Sequence, residues 1–224
     1  DEILEMTRTL HLDSGNTRVL DLGCGKGAVS VQLASNLGFQ VTGIDIMPAF
    51  LEEARKKARE YKVGNLCIFR EEDILEYVRE SRDFDLVILA SLGGIFGSLK
   101  NTVAQMRTQI RSGGYMVIDD GFLKNEKSLQ RIGYEHYRTH QESIEELTRF
   151  GDHLIQEVNT TGVSLKINEE YLRKIKNRGS ELKEIHPELA EDIEAYISRQ
   201  QEDCRIIDEK LEGALWLLQK KTHL

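Results

Sequence analysis

The sequence contains few cysteines and has no excess of basic residues. Its three cysteines, Cys24, Cys67 and Cys204, lie far apart and form no C-x-x-C pair. Neither a disulfide framework nor a structural zinc site is therefore expected. Among the 224 residues, 38 acidic side chains outnumber 30 basic ones, which gives a formal net charge of -8. This charge argues against a nucleic-acid partner, because such proteins carry basic patches, and it favours a small molecule.

Long apolar segments are also missing. The apolar run 86–99 is shorter than the ~20 residues of a membrane-spanning helix, and glycines interrupt it. This run predicts a buried strand followed by a loop. The amino-terminal residues show no basic and apolar leader pattern. We therefore predict a cytoplasmic protein without a membrane partner. The sequence leaves open whether it is a monomer or a homodimer.

Short apolar segments alternate with amphipathic segments over the first two thirds of the chain. This alternation is typical of repeated βαβ units and predicts an α/β protein with a parallel sheet. The predicted strands are residues 18–22, 40–45, 66–69, 85–90 and 115–119. Gly38 is predicted to end the helix after the first strand, and Pro48 to begin the next helix.

The pattern changes after Asp120. We predict one long helix or two over residues 125–150, a short strand over 153–158 and a final strand over 213–219. Apolar residues recur at helical spacing between these strands, and Pro187 divides them into two helices. These apolar residues are Leu172, Ile175, Leu182, Ile185, Leu189, Ile193 and Ile197. The chain length suits one domain, in which the last two strands complete the sheet.

The segment VLDLGCGKG at residues 19–27 predicts a glycine-rich loop between a strand and a helix. Gly23, Gly25 and Gly27 allow a tight turn and a close approach to a ligand, because they have no Cβ. Residues 23–28 also satisfy the dinucleotide pattern G-x-G-x-x-G/A, with Asp45 as the ribose acid. An NAD(P)-dependent oxidoreductase is thus one alternative. Asp21 distinguishes this alternative from the family resemblance described below.

Asp21 to Gly27 form an acid, an apolar residue and G-x-G-x-G. This stretch resembles the first motif of the class I S-adenosylmethionine-dependent methyltransferases, which use the loop for the methionine part of their cofactor. A zwitterionic amino acid lacks a pyrophosphate, so a carboxylate near the loop can serve its ammonium. A pyrophosphate site would avoid Asp21.

The resemblance extends over residues 15–120 and more loosely over the last strand. It implies that the cofactor, S-adenosylmethionine, gives S-adenosylhomocysteine as product. It also implies that the second-strand acid, Asp45, takes both ribose hydroxyls and that Asp73 accepts from the adenine amino group. The turn RSGGYMVID matches the family except that Ser112 replaces its common proline. The implied cofactor residues are Asp21, Gly23, Cys24, Gly25, Gly27, Asp45, Ile46, Met47, Asp73, Ile74, Ala90 and Ser91.

The implied fold is a Rossmann-like, doubly wound α/β sheet, mostly parallel with an antiparallel last strand and with helical cap insertions. We predict one domain over residues 1–224. Its cofactor-binding core is 15–122, completed by 151–160 and 212–224, and its cap is 124–150 and 161–211. The implied activity is in-line transfer of a methyl group to a small-molecule acceptor. A non-catalytic module of the same fold is a further alternative.

Weak catalytic candidates are Tyr137, His136, His140 and Asp120. We place Tyr137 and both histidines on one predicted helix, with His136 and His140 one turn apart on the same face. Either histidine could act as a general base or belong to a solvated face.

No metal site is predicted. Asp119 and Asp120 end the fifth strand, where catechol-type methyltransferases hold a divalent cation with acids from the fourth and fifth strands. The fourth strand here ends in Ala90 and Ser91, which leaves an expected oxygen ligand missing.

Overall fold

The computed structural model describes residues 2–125, 128–129 and 131–222 and contains a seven-stranded sheet. The order of the strands is β3-β2-β1-β4-β5-β7-β6. They are β1 (Arg18–Leu22), β2 (Gln40–Asp45), β3 (Cys67–Glu71), β4 (Phe84–Ala90), β5 (Ile110–Leu123), β6 (His153–Asn159) and β7 (Leu211–Gln219). The first five strands are parallel to one another, whereas β7 runs antiparallel to both β5 and β6.

Helices follow the strands and cover both faces of the sheet. They are α1 (Glu2–Arg8), α2 (Ala28–Leu37), α3 (Pro48–Glu60), α4 (Ile74–Tyr77), α5 (Leu99–Gln109), α6 (His140–Leu147), α7 (Thr161–Ile185) and α8 (Ala190–Lys210). Gly38 ends α2 at a φ of 71°, which a residue without a Cβ adopts easily. Pro48 begins α3, where its fixed φ suits a first helical residue.

The core divides into two apolar layers, one on each face of the sheet. Alternate residues of a strand point to opposite faces, so Val19 belongs to one layer and Leu20 and Leu22 to the other. Trp216 in β7 is fully buried in the second layer. This two-sided burial is typical of a largely parallel sheet.

The chain reverses its direction across the sheet between β1 and β4. From β1 it proceeds outward to β2 and β3, then returns to place β4 and β5 on the other side. Open α/β sheets bind ligands at such a point, beyond the carboxyl ends of the strands. The loops after β1, β2, β4 and β5 therefore form the edge at which a site is expected.

The prediction of one or two helices over residues 125–150 is wrong for most of the part that the structure describes. Only His140–Leu147 is α-helical, and residues 131–138 form turns in which Gly133 has a φ of 89°. Residues 126, 127 and 130 lie outside the described residues. Thr139 forms a capping box with Glu142, so α6 begins there.

The two helices predicted on either side of Pro187 are α7 and α8, joined by a short 3-10 turn at Pro187–Leu189. They pack against each other at Gly179, where an added Cβ would lie 2.7 Å from Ile197 Cδ1. A glycine within a long helix thus permits close contact between the helices. We refer to α7, α8 and this turn as the cap helices.

Candidate active site

Backbone hydrogen bonds within the glycine loop and to β2 hold the loop after β1 in place. Gly23, Gly25 and Gly27 all have positive φ values, of 68°, 53° and 70°. The Cys24 N–H donates to Ile44 O at 2.9 Å, and the Gly27 N–H donates to Cys24 O at 2.9 Å. Such left-handed conformations favour glycine, because a Cβ strains them.

Asp45, at the end of β2, is tied directly to this loop. Its Oδ2 accepts from the Gly25 N–H at 2.8 Å, and its Oδ1 accepts from the Met47 N–H at 2.9 Å. The side chains of Ile46 and Met47 beyond it are 61% and 47% exposed. A half-buried carboxylate beside two exposed apolar side chains can hold hydroxyl groups and cover a flat ring.

Asp21 lies beneath the glycine loop and is 2% exposed. Its Oδ2 accepts from the Ser30 hydroxyl at 2.5 Å, so its contacts are with the first turn of α2. Burial raises the pKa of Asp21 to about 6 against the opposing effect of these hydrogen bonds, and the charge of Asp45 adds to the increase. Burial also raises the pKa of the Cys24 thiol, which therefore stays protonated.

Asp73 follows β3 and caps α4, where its Oδ1 accepts from the Leu75 N–H at 2.8 Å. The side chain is partly buried, and Ile74 beside it is 9% exposed. One oxygen of Asp73 thus stabilises a helix end at the same edge of the sheet as Asp45.

The segment after β4 lies between the glycine loop and β5. Ala90 pairs with Asp119 in the sheet, and the Ser91 hydroxyl donates to Asp119 Oδ2 at 3.0 Å. Leu92 packs so closely on Gly23 that a Cβ there would lie 2.0 Å from Leu92 Cδ1. Ser91 therefore faces β5 while Leu92 covers the glycine loop.

A cavity of about 430 Å³ opens on the β5 side of this segment. Its wall includes Ser91, Asp119, Asp120 and Tyr137, together with residues of α1, α7, α8 and β7. Its size is within the range of small-molecule sites. Ser91 is the predicted cofactor residue that also lines this cavity.

Asp120 and Tyr137 form a pair within the cavity wall. Asp120 accepts from the Gly121 N–H at 2.9 Å and from the Tyr137 hydroxyl. Burial and the charge of Asp119 raise the pKa of Asp120 to about 7, although both hydrogen bonds favour the charged form. Asp120 can therefore exchange a proton near neutral pH. Burial raises the pKa of Tyr137, and the Asp120 carboxylate adds to this increase.

The two histidines do not form the helical pair that the sequence predicts. His140 begins α6 and contacts Glu157 with its Nε2 at 2.8 Å. His136 lies in a turn under Gly94, where an added Cβ would be 2.6 Å from its Nδ1, and burial lowers its pKa. The helical spacing on which the prediction rested is absent, because residues 131–138 form turns.

Several residues of the cavity wall were not identified from the sequence. Four of these lie far from the motifs: Glu2 on α1, Asp208 on α8, and Thr160 and Glu212 where the cap helices join β6 and β7. Asp208 occurs within a helical segment whose charges predict a solvated face. No local pattern distinguishes these acids from those on the protein surface.

Among the residues that the structure describes, no group of three His, Cys, Asp or Glu side chains is placed to hold a metal ion. No helix in this part of the chain has both the length and the apolar character needed to cross a membrane.

A family model described as a methyltransferase domain matches residues 13–182. The chain belongs to this methyltransferase family. The match includes the glycine loop, Asp45, Asp73 and the segment after β4. The predictions of the family and of the fold are confirmed.

Known methyltransferases resemble the chain to different extents. It is 25% identical over 187 residues to 27-O-demethylrifamycin SV methyltransferase of Amycolatopsis mediterranei (strain S699). This alignment covers 84% of this chain and 60% of that protein. It is 49% identical over 53 residues to aklanonic acid methyltransferase DauC of Streptomyces sp. (strain C5). This shorter alignment covers 23% of this chain and 24% of that protein. The chain thus spans between about a quarter and six tenths of the length of these curated relatives.

A solved structure shares the fold. It is a SAM-dependent methyltransferase from Geobacter sulfurreducens in complex with S-adenosyl-L-homocysteine. The TM-score is 0.81 at 22% sequence identity, over 98% of this chain and 91% of that one.

Proposed function

We propose that this methyltransferase binds S-adenosylmethionine at the glycine loop and transfers its methyl group to a small molecule in the cavity. The observation that best supports the proposal is that backbone N–H groups of the glycine loop are already hydrogen-bonded within the protein. The N–H groups of Cys24, Gly25 and Gly27 already donate to protein oxygens, and the acceptor for Gly25 is a carboxylate. A pyrophosphate would need such N–H groups free, whereas the amino acid part of S-adenosylmethionine does not.

The residues at this edge of the sheet fit the cofactor in chemistry. Asp45 offers carboxylate oxygens for ribose hydroxyls, and the exposed Ile46 and Met47 offer an apolar surface for an adenine ring. Asp21 lies too deep for its carboxylate to be exposed, so we assign it an electrostatic effect on the cofactor's ammonium through the loop. The assignment of Asp73 to the adenine amino group stays a prediction.

The bound cofactor would supply an activated methyl group for in-line displacement. The protein's tasks are then to align the acceptor, to exclude water and to accept a proton where the acceptor loses one. Ser91 borders both regions, and Asp120 and Tyr137 lie in the cavity wall. We favour Asp120 over the histidines for proton uptake, because His140 is bonded to Glu157 and His136 is packed under Gly94.

The test is calorimetric titration of the protein with S-adenosylhomocysteine, with NAD and NADP as parallel ligands. We expect micromolar binding of the first ligand alone, about -8 kcal/mol. Asp45→Ala should weaken this binding by about 100-fold, since two charge-assisted hydrogen bonds to the ribose are lost. Glu71→Ala is the matched control, because Glu71 is exposed on β3 directly opposite Asp45.

Three results would contradict parts of the proposal. Binding of a dinucleotide alone would favour an oxidoreductase. Equal losses in the Asp45 and Glu71 variants would remove Asp45 from the cofactor site. Tight S-adenosylhomocysteine binding without labelled-methyl transfer to any small molecule would favour a non-catalytic module. The cytoplasmic location and the choice between monomer and homodimer stay predictions.

A further inference from the structure

All the charged side chains that the structure describes in the wall of the cavity beside Ser91 are acidic. Its wall contains five carboxylates and no Lys, Arg or His side chain among the described residues. These acids come from three directions, namely α1, the end of β5, and the junction of α8 with β7. They are Glu2, Asp119, Asp120, Asp208 and Glu212. All five are partly buried, so solvent screens them less than it screens a surface acid.

The hydrogen bonds of these carboxylates come from neutral donors. Ser91 donates to Asp119, Asn168 Nδ2 donates to Asp208 Oδ1 at 2.8 Å, and Asn159 Nδ2 donates to Glu212 Oε2 at 3.1 Å. Within the described ranges none of the five forms an ion pair. Lys124 reaches the carbonyl oxygen of Asp208 and not its carboxylate.

A second feature of the wall also indicates a polar ligand. Thr160 lines the cavity, is only 7% exposed, and has a hydroxyl without a hydrogen-bond partner in the described structure. This hydroxyl points toward Gly213, another residue of the wall, where an added Cβ would lie 2.7 Å from it. Buried hydroxyls are normally hydrogen-bonded, so a polar ligand atom would complete this one.

The remaining wall is largely apolar. Ile3, Val163, Leu165, Ile207 and Leu215 contribute aliphatic side chains. A ligand that fits the cavity would therefore have an apolar body and a head that favours carboxylates.

We propose that the methyl acceptor is a small amine, whose ammonium group is held among these carboxylates and whose apolar body lies against the aliphatic wall. The ammonium would first give one proton to a wall carboxylate such as Asp120. Its freed lone pair would then form the new C–N bond while the bond from the methyl carbon to sulfur breaks, and the electron pair of that bond would leave on the sulfur of the neutral thioether. This inference rests on the proposed function and specifies its substrate class. Glu2 repels Asp119, Asp119 repels Asp120, and a cation among them relieves that repulsion. An anionic acceptor would increase it, and a neutral acceptor would leave it unchanged.

The experiment uses the protein loaded with S-adenosylhomocysteine and three probes that share a phenyl ring and a two-carbon chain. The probes are phenethylamine, phenethyl alcohol and hydrocinnamate, which are cationic, neutral and anionic at neutral pH. We expect calorimetric titration to give an affinity for the amine at least about tenfold above that for the alcohol, and none for the carboxylate. S-adenosylhomocysteine is a neutral thioether, so this complex contains no cofactor sulfonium that could satisfy the carboxylates.

Variants then test whether the carboxylates cause the preference. The pair Asp208→Asn and Glu212→Gln keeps the shape and the acceptor atoms but removes two charges, and it should lower amine affinity by about tenfold without changing alcohol affinity. The matched control is Glu191→Gln with Asp192→Asn. These two acids are exposed at the start of α8 and do not line the cavity. The control pair should bind the amine as tightly as the unchanged protein does.

Each other outcome overturns the inference. Equal affinity for amine and alcohol would mean that the carboxylates serve the cofactor's sulfonium and not the acceptor. Preference for hydrocinnamate, or equal losses in the two double variants, would exclude recognition of a cation in the cavity. Failure of all three probes to bind the loaded protein would also refute it. If S-adenosylhomocysteine itself fails to bind, it is the proposed function that fails.

Discussion

Replacement of Asp21 by asparagine should stabilise the free protein at neutral pH and leave it nearly unchanged in acid. The Asp21 carboxyl is 2% exposed, and its pKa is about 6 in the folded protein against the usual 3.8. A raised pKa means that the folded state holds the proton over a pH range in which the unfolded chain has released it. Stability is therefore lost as pH rises from the unfolded pKa through the folded one.

The size of this effect follows from the difference between the two pKa values. Each unit corresponds to about 1.4 kcal/mol, so the ionised carboxylate destabilises the fold by about 3 kcal/mol once the pH is well above 6. Between about pH 4.5 and about pH 7.5 the change is about 2 kcal/mol. The asparagine side chain of the variant has no such titration. Any constant penalty from its altered hydrogen bonds to Ser30 is the same at both pH values and cancels from the comparison.

The assay is urea unfolding of both proteins at those two pH values. We expect the free energy of unfolding of the variant, minus that of the unchanged protein, to increase by about 2 kcal/mol from the lower to the higher pH. A difference that stays constant or decreases would refute the placement of Asp21 as a buried, desolvated acid. Weaker S-adenosylhomocysteine binding by the variant would show that the carboxylate is retained for the cofactor at the expense of stability.

Three further perturbations test other parts of the structure. Tyr137→Phe removes a hydrogen bond that favours ionised Asp120, so the midpoint of the Asp120 carboxyl carbon titration in NMR should rise from about 7 by about one unit; an unchanged midpoint would contradict the pairing. Gly43→Ala places a Cβ 2.8 Å from Cys24 Sγ and from Phe69 Cδ1. The free energy of unfolding in urea should therefore fall by about 1–3 kcal/mol, and an unaltered urea midpoint would disprove this close packing. Asp152→Ala leaves the largely buried Arg107 guanidinium unpaired and should destabilise the fold by about 3–5 kcal/mol; a loss typical of surface pairs, below about 1 kcal/mol, would argue against burial of this pair.

The sheet is predictable from the sequence where apolar runs end at clear turn residues. β1 and β2 agree with prediction to the residue, because the glycine loop and Gly38 fix their limits. β5 is longer than predicted, at Ile110–Leu123, because its ends gain partners from β4 and β7 that lie far away in sequence. Strand length in a sheet depends on such neighbours as well as on local propensity.

The wrong helix over residues 125–150 has a local cause. The aromatic and histidine residues there recur at spacings that suit a helix, but Gly133 takes a left-handed conformation. The sequence does contain the correct start signal, which is Thr139 followed three residues later by Glu142. In such a short segment a capping box predicts the start of a helix better than hydrophobic periodicity does, because it fixes where the first turn begins.

The candidate site also has one part that is predictable from the sequence and one part that is not. The glycine loop and Asp45 are recognisable because one motif and one strand end place them at the same edge of the sheet. The wall of the cavity brings together residues that lie far apart in the sequence, such as Ser91 and Glu212. No periodicity reports such contacts. The roles of the individual cofactor residues stay predictions.

The attachment of the cap helices makes their part of the cavity wall interchangeable. β6 and β7 are hydrogen-bonded neighbours, and the whole α7–α8 hairpin is inserted between them with one residue, Thr160, before α7 and none after α8. Its two ends are thus held one strand spacing apart by the sheet itself. Because the entropy of closing a loop grows only slowly with its length, this hairpin can be lengthened, shortened or replaced without shifting the register of the sheet. Exchange of one hairpin thus changes the cavity wall of this scaffold, while the edge that carries Asp45 remains unaltered.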